Sequence, residues 1–224
     1  MPITHRGNAA RRRLILASSS PRRREILQAA GFEFEVVPTS VVEERLPGES
    51  PELFVCRMAT EKAEAALDRV AHQSAAPIIL PILGADTVVV LGNETLGKPA
   101  SAEDARRMLR LLSGKQHRVL TGLCLLAPPQ TWPSPLSELW REVQVASTTV
   151  QFSKLTEQEI EEYVASGEPF DKAGGYAIQG LASKYVEGIQ GCYFNVVGLP
   201  ISLLYQMLKR LDPDTAMEPA RNQR

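Results

Sequence analysis

The chain reads as an α/β protein built around a mixed sheet, and three observations predict this. Short apolar runs alternate with amphipathic stretches along nearly the whole sequence. Two long strand-like segments, 117–127 and 142–152, are separated only by a proline-rich stretch and are expected to pair antiparallel. The 224 residues are 44% hydrophobic and 23% charged, a balance that supports one large domain or two small lobes.

In order, 14–17 is a buried strand and 22–30 a helix stopped by Gly31. Residues 32–38 alternate as a second strand, and 41–49 is an acidic loop. Ser50-Pro51 opens a helix to about Val70, with Leu53, Phe54, Met58, Ala59, Ala63, Ala66 and Leu67 on one face. Residues 78–83 and 87–91 read as two strands on either side of Gly84-Ala85-Asp86, with a turn at Gly92-Asn93. Ser101 with Asp104 caps a helix to Leu112, and Thr156 with Glu159 forms a capping box before a helix to Ala165. Residues 167–180 form a glycine-punctuated loop, 183–189 a strand, and 199–211 a closing amphipathic helix started by Pro200. The segment 128–140 reads as a variable surface loop. Residues 1–13 are taken as a disordered extension, 14–211 as the folded domain and 212–224 as a flexible tail.

Composition excludes several classes. A net charge of −1 supplies no global field for nucleic acid. Cys56, Cys124 and Cys192 form no CxxC pair, and their odd count argues against a disulfide scaffold and for a reducing, cytoplasmic setting. No secretory h-region and no run of membrane-spanning length is visible.

The most informative stretch is LILASSSPRRR at 14–24. A strand runs into Ser18, Ser19 and Ser20, then into a helix whose first position suits Pro21 and whose cap suits Ser20. The free N–H groups of that first turn face beyond the strand end, beside hydroxyls and guanidinium groups, so a phosphate ester is the natural guest. A merely solvated helix start would be a poor place for arginines, because cations there oppose the helix dipole. No P-loop pattern occurs anywhere in the chain.

Asp86 follows an apolar strand, where a carboxylate needs a cation, a metal or strong donors. Glu43 or Glu44 would complete an oxygen-rich cation site if the fold brings one of them to Asp86. Lys62 sits on an apolar helix face and Lys98 just before Pro99; both matter if an anion lies near. In the glycine-rich loop, Asp171 and Lys172 are adjacent opposite charges, and the amide of Gln179 suits the polar edge of a base. His5, His72 and His117 have no ligand spacing and receive no role.

Together, LILASSSPRR at 14–23, GADTVVV at 84–90, GKP at 97–99, DKAGGYAIQG at 171–180 and NVVGLP at 195–200 resemble the Maf family of nucleoside-triphosphate pyrophosphatases. The resemblance covers 14–211 and rests on five motifs in order. It implies an elongated, twisted mixed sheet flanked by helices, of the Maf/ITPase-like kind, with two lobes around a nucleotide-binding cleft. It also implies hydrolysis of a nucleotide between its α and β phosphates, with a Mg²⁺ or Mn²⁺ as cofactor, and a homodimer is among the expectations, since members often dimerise. Carried over by motif, Asp86 is the proton acceptor, Glu44, Lys62 and Lys98 match further cleft positions, and Ser18, Arg22 and Arg23 match the phosphate-facing loop; the expected mechanism has Glu44 and Asp86 hold the metal while Arg22, Arg23, Lys62 and Lys98 offset phosphate charge. Asp171 and Lys172 fall in the second binding segment. Arg23, Thr87 and Gln179 agree with the branch acting on dTTP and UTP, so the expected partner is a pyrimidine nucleoside triphosphate, with no nucleic acid and no membrane. Arg24 falls to the surface. At Ser183-Lys184-Tyr185 relatives more often carry glycines, which leaves the conformation of the adjoining loop open. The competing expectation is a nucleotide-binding regulator of septum formation with little turnover.

Overall fold

A computed structural model describes residues 13–73, 78–129 and 138–211. The expected extension, apart from Arg13, the expected tail, and residues 130–137 of the expected surface loop lie outside the described residues. The strands are β1 (Arg13–Leu16), β2 (Glu33–Val36), β3 (Ile82–Leu91), β4 (Glu94–Leu96), β5 (Gln116–Ala127), β6 (Trp140–Phe152) and β7 (Val186–Gln190). The helices are α1 (Pro21–Ala29), α2 (Pro51–Gln73), α3 (Ala102–Leu112), α4 (Glu157–Ala165), α5 (Tyr193–Val197) and α6 (Ile201–Leu211).

The strands form one mixed sheet in the order β2-β1-β3-β5-β6-β7, with β4 paired to β3 as a short hairpin. β1 pairs in parallel with β2 and β3, and every other pairing is antiparallel. The expected antiparallel pairing of the two long segments is therefore present as β5 and β6. Helices flank the sheet, as expected for the α/β class. Among the described residues, no helix is long and apolar enough to cross a membrane.

Local capping chemistry sets the helix starts. The Ser20 hydroxyl accepts from the Arg23 N–H, the Ser101 hydroxyl from the Asp104 N–H, and Thr156 with Glu159 closes a reciprocal box. α2 lies across β3 and β5 through Val55, Met58, Ala59, Ala63 and Ala66, all 0% exposed. Two glycines permit this close approach. A Cβ on Gly84 would stand 2.0 Å from the Ala59 carbonyl oxygen, and one on Gly122 would stand 2.3 Å from that of Val55.

The structure departs from the sequence reading at five points. Gly84-Ala85-Asp86 does not interrupt a strand: β3 runs through it, and Gly84 is there for helix contact, not for a turn. Leu53 is 63% exposed, because the face that meets the sheet is set by Phe54 and Val55. The strand expected at 183–189 starts only at Val186, after a 3-10 turn at Leu181–Tyr185. A five-residue helix, α5, was not anticipated, and the closing helix begins at Ile201.

The core is divided. One cluster joins β1, α1 and α6 through Leu14, Leu16, Leu27, Leu204 and Met207. Another, toward the far end of the long strands, joins α3 and α4 through Met108, Leu109, Phe152, Ile160 and Tyr163. β3 and β5 contribute residues to both clusters.

Candidate active site

A cleft of about 690 Å³ opens over the middle of β3. Its walls come from the serine turn and α1, the acidic loop, the β3–β4 hairpin and the glycine-rich loop. Asp86 and Thr87 are neighbours on β3, so their side chains leave opposite faces of the strand. Asp86 shares the α2 side with Gly84, and its carboxylate accepts from Lys62 Nζ at 2.7 Å. The same ammonium donates to Glu43 Oε1 at 2.5 Å. Lys62 is 8% exposed and Asp86 6%, so the ammonium sits in the floor of the cleft between two carboxylates. Burial works to raise the Glu43 pKa, but the hydrogen bond and charge of Lys62, with the charges of Lys98 and Arg23, outweigh it and hold the carboxyl below its usual range.

Thr87 faces the other way. Its hydroxyl accepts from an Arg23 terminal nitrogen at 3.1 Å and pairs with Thr121 on β5 at 2.9 Å. Arg23 also donates to Ser18 Oγ at 3.0 Å and, through Nε, to the Gly198 carbonyl at 2.9 Å. Burial lowers the Arg23 pKa, and the charges of Asp86 and Glu43 oppose that shift. Arg23 is thus built into the wall, with three of its five N–H groups committed to protein partners. Arg22, one residue earlier, reaches across the cleft instead. It donates to Asp171 Oδ2 at 3.0 Å and to the Asp171 carbonyl at 3.2 Å. Lys172 Nζ also donates to Asp171, at 2.6 Å. Burial tends to raise the Asp171 pKa, but Lys172 and Arg22 together bring it below its usual value. Arg24 is exposed, as expected.

The cleft gathers Ser18, Arg22, Arg23, Lys62 and Asp86 from the first half of the sequence-predicted set. It gathers Thr87, Lys98, Asp171, Lys172 and Gln179 from the rest. Gln179 and Lys98 are exposed at its rim, and the Gln179 amide makes no hydrogen bond among the described residues. Glu44 is the exception. It is exposed and does not line the cleft; its backbone carbonyl is held by Arg57 at 2.9 Å, and Glu43 is the residue that reaches Lys62. Sequence reasoning also passed over Tyr176, whose hydroxyl is hydrogen bonded to His117 Nε2 at 2.6 Å and whose ring packs on Phe152 at 4.5 Å. Its place inside the glycine-rich motif was the available signal.

Among the described residues no cluster of three or more His, Cys, Asp or Glu side chains could hold a metal by itself. Asp86 and Glu43 each use one oxygen on Lys62 and keep the other without a hydrogen-bond partner among the described residues. Two hard oxygen donors beside an anion site suit a cation that completes its shell from substrate phosphate and water, as Mg²⁺ does. The donor set therefore fits a Mg²⁺-type ion and not an all-protein cage.

Residues 13–211 match the family model described as Maf-like protein. A protein of Anaeromyxobacter dehalogenans (strain 2CP-C) named dTTP/UTP pyrophosphatase is 46% identical over 88% of this chain and 93% of its own length. Proteins with the same name from Geobacillus sp. (strain WCH70) and Bacillus cereus (strain ATCC 14579) are 44% and 45% identical, over 89% and 91% of this chain and 98% and 97% of theirs. Among solved structures, the Staphylococcus aureus Ham1 protein aligns at 13% identity and a TM-score of 0.48, covering 89% of this chain and all of that one.

Proposed function

The chain belongs to the Maf family, and from that premise we propose that it is a nucleoside-triphosphate pyrophosphatase that hydrolyses dTTP and UTP to the monophosphate and pyrophosphate. The observation that carries this reading is the buried Lys62 bracketed by Asp86 and Glu43, at the foot of a cleft whose opposite wall is the Ser-Pro-Arg-Arg helix start. A protein that only bound nucleotide would need no proton acceptor in that position.

In this reading the triphosphate lies along the cleft with its oxygens toward the α1 start, Lys62, Lys98 and Arg22. Water attacks the α-phosphorus, the bond to the bridging oxygen breaks, and pyrophosphate leaves. Asp86 accepts the proton of the attacking water, and the hydrogen bond from Lys62 holds the carboxylate in place. Lys98 and Arg22 offset charge that grows on the leaving pyrophosphate. Glu43 and Asp86 would hold a Mg²⁺ or Mn²⁺, which, when bound, neutralises phosphate charge and lowers the pKa of water. At the other end of the cleft the free Gln179 amide meets the base; a donor and acceptor on one group suit the carbonyl and N3–H edge of uracil or thymine.

Asp86→Asn tests the assignment. It keeps the shape of the side chain and removes the base, so pyrophosphate release from dTTP should fall by about 10³-fold while nucleotide binding stays measurable. Turnover within tenfold of the wild type would refute the role given to Asp86.

A further inference from the structure

Glu168 has no part in the site described above, yet it ties that site's glycine-rich wall together. It opens the 3-10 turn Glu168–Asp171, immediately after Gly167 at φ 77°. One carboxylate oxygen accepts from the Tyr163 hydroxyl of α4 at 3.0 Å. The other accepts from the Leu181 backbone N–H, at the far end of the glycine-rich loop, also at 3.0 Å. Gly180 comes so close that a Cβ there would stand 2.8 Å from the second oxygen. The Glu168 carbonyl accepts from Lys172 Nζ at 2.5 Å. Both ends of the loop therefore meet on one side chain, and Asp171, Lys172 and Gln179 lie within the span it closes. Tyr163 is a rigid anchor for it: the residue is 3% exposed, its ring stands edge-on to Tyr185, and burial, then the hydrogen bond to Glu168 and its charge, push its hydroxyl pKa up so that it stays a donor.

A loop with glycines at 174, 175 and 180 has many conformations available, and holding it in one before substrate arrives removes that ordering cost from binding. We propose that Glu168 is a positioning residue: its carboxylate clasps the 168–181 loop against α4 and so presents Gln179 to the cleft in one pose. This rests on the reading of Gln179 as the group that faces the base. Glu168 touches no substrate in this scheme and acts only through the loop.

The test uses Glu168→Gln, Gln179→Ala and their combination in the full chain, read by amide hydrogen exchange across 172–181 and by steady-state kinetics with dTTP and dGTP. Glu168→Gln keeps the side chain's shape but can no longer accept from both Tyr163 and Leu181. It should speed exchange across the loop about tenfold and raise KM for dTTP about tenfold with kcat within threefold. It should narrow the preference for dTTP over dGTP, and it should add little to Gln179→Ala in the double variant. Tyr163→Phe, which removes one of the two donors, should move each readout in the same direction by a smaller factor, and it serves where Glu168→Gln does not fold. Unchanged exchange in a folded variant overturns the clasp. Faster exchange with an unchanged KM, or full additivity with Gln179→Ala, overturns its positioning role. Discrimination unchanged in Gln179→Ala overturns the base reading, and with it the link to Gln179; that failure is told apart from failure of the clasp because the exchange rates do not depend on it.

Discussion

Lys62 is a buried ammonium on an otherwise apolar helix face, and it is tolerated there because Asp86 and Glu43 both accept from it. That arrangement decides between two adjacent glutamates. Glu43→Gln should reduce turnover about 10²-fold or more, since it removes charge beside Lys62 and one of two carboxylate donors for a cation; Glu44→Gln should stay within threefold. Steady-state pyrophosphate release from the two variants decides it, and equal losses would break the distinction. His117 gives a second residue-scale expectation. It is 2% exposed, its Nδ1 has no hydrogen-bond partner among the described residues, and burial holds its pKa down to about 4 against 6.5. As pH falls through 6.5 the unfolded chain takes up this proton while the folded chain does not, so stability is lost between about pH 6.5 and 4 and not further below. Between pH 7 and pH 4, urea unfolding of the wild type should lose about 3 kcal/mol more than that of His117→Gln. A difference under about 1 kcal/mol would show that the imidazole titrates normally.

At the scale of elements, the meeting of α2 with β3 and β5 is set by what glycine lacks. Adding a methyl group at Gly84 places carbon 2.0 Å from the Ala59 carbonyl and within 3 Å of Ala63, atoms of a helix that cannot yield locally. Gly84→Ala should therefore destabilise the fold by about 3 kcal/mol or more, measured as a shift in the urea midpoint. Gly188→Ala on β7, where a Cβ would meet nothing within 4 Å among the described residues, should change stability by less than about 0.5 kcal/mol. The same glycine shows where sequence reading succeeds and where it stops. The helix starts at Ser20, Ser101 and Thr156 were legible because capping is chemistry between near neighbours. Gly84 read as a break because its reason lies on α2, more than twenty residues away in sequence. α5 was invisible because five residues carry too little periodicity. The candidate site was legible through its motifs, except where Glu43 and Glu44 adjoin in a loop with no period to choose between them. The choice depends on Arg57 capturing the Glu44 carbonyl, a contact that no local pattern announces.

Across the whole molecule, two of the apolar clusters draw residues from both β3 and β5, the strands that run beneath the cleft. Ser18 and Arg22 stand on the side of β1 and α1, while Lys98, Lys172 and Gln179 stand on the side of the hairpin and the glycine-rich loop. Without nucleotide, the Arg22–Asp171 ion pair joins the two sides, and with Asp171 well exposed it contributes little stability. A bound triphosphate would join them with several charged contacts at once, so the folded state should gain stability by mass action. A dTTP analogue with a methylene in place of the α–β bridging oxygen isolates this effect from turnover. At about 100 times its dissociation constant it adds about 2.7 kcal/mol. In a chain of this size that raises Tm by about 5–10 °C. A cation held by Glu43 and Asp86, as proposed above, would be part of the same linkage, because it would offset the charge of those two carboxylates facing the phosphates. Thermal unfolding with the analogue should therefore show the full shift in Mg²⁺ and less than half of it in EDTA, and Glu43→Gln should bring the two conditions closer together. Equal shifts with and without Mg²⁺ in the wild type would mean that the carboxylate pair serves Lys62 alone and that the phosphates are held by the cationic residues without a metal.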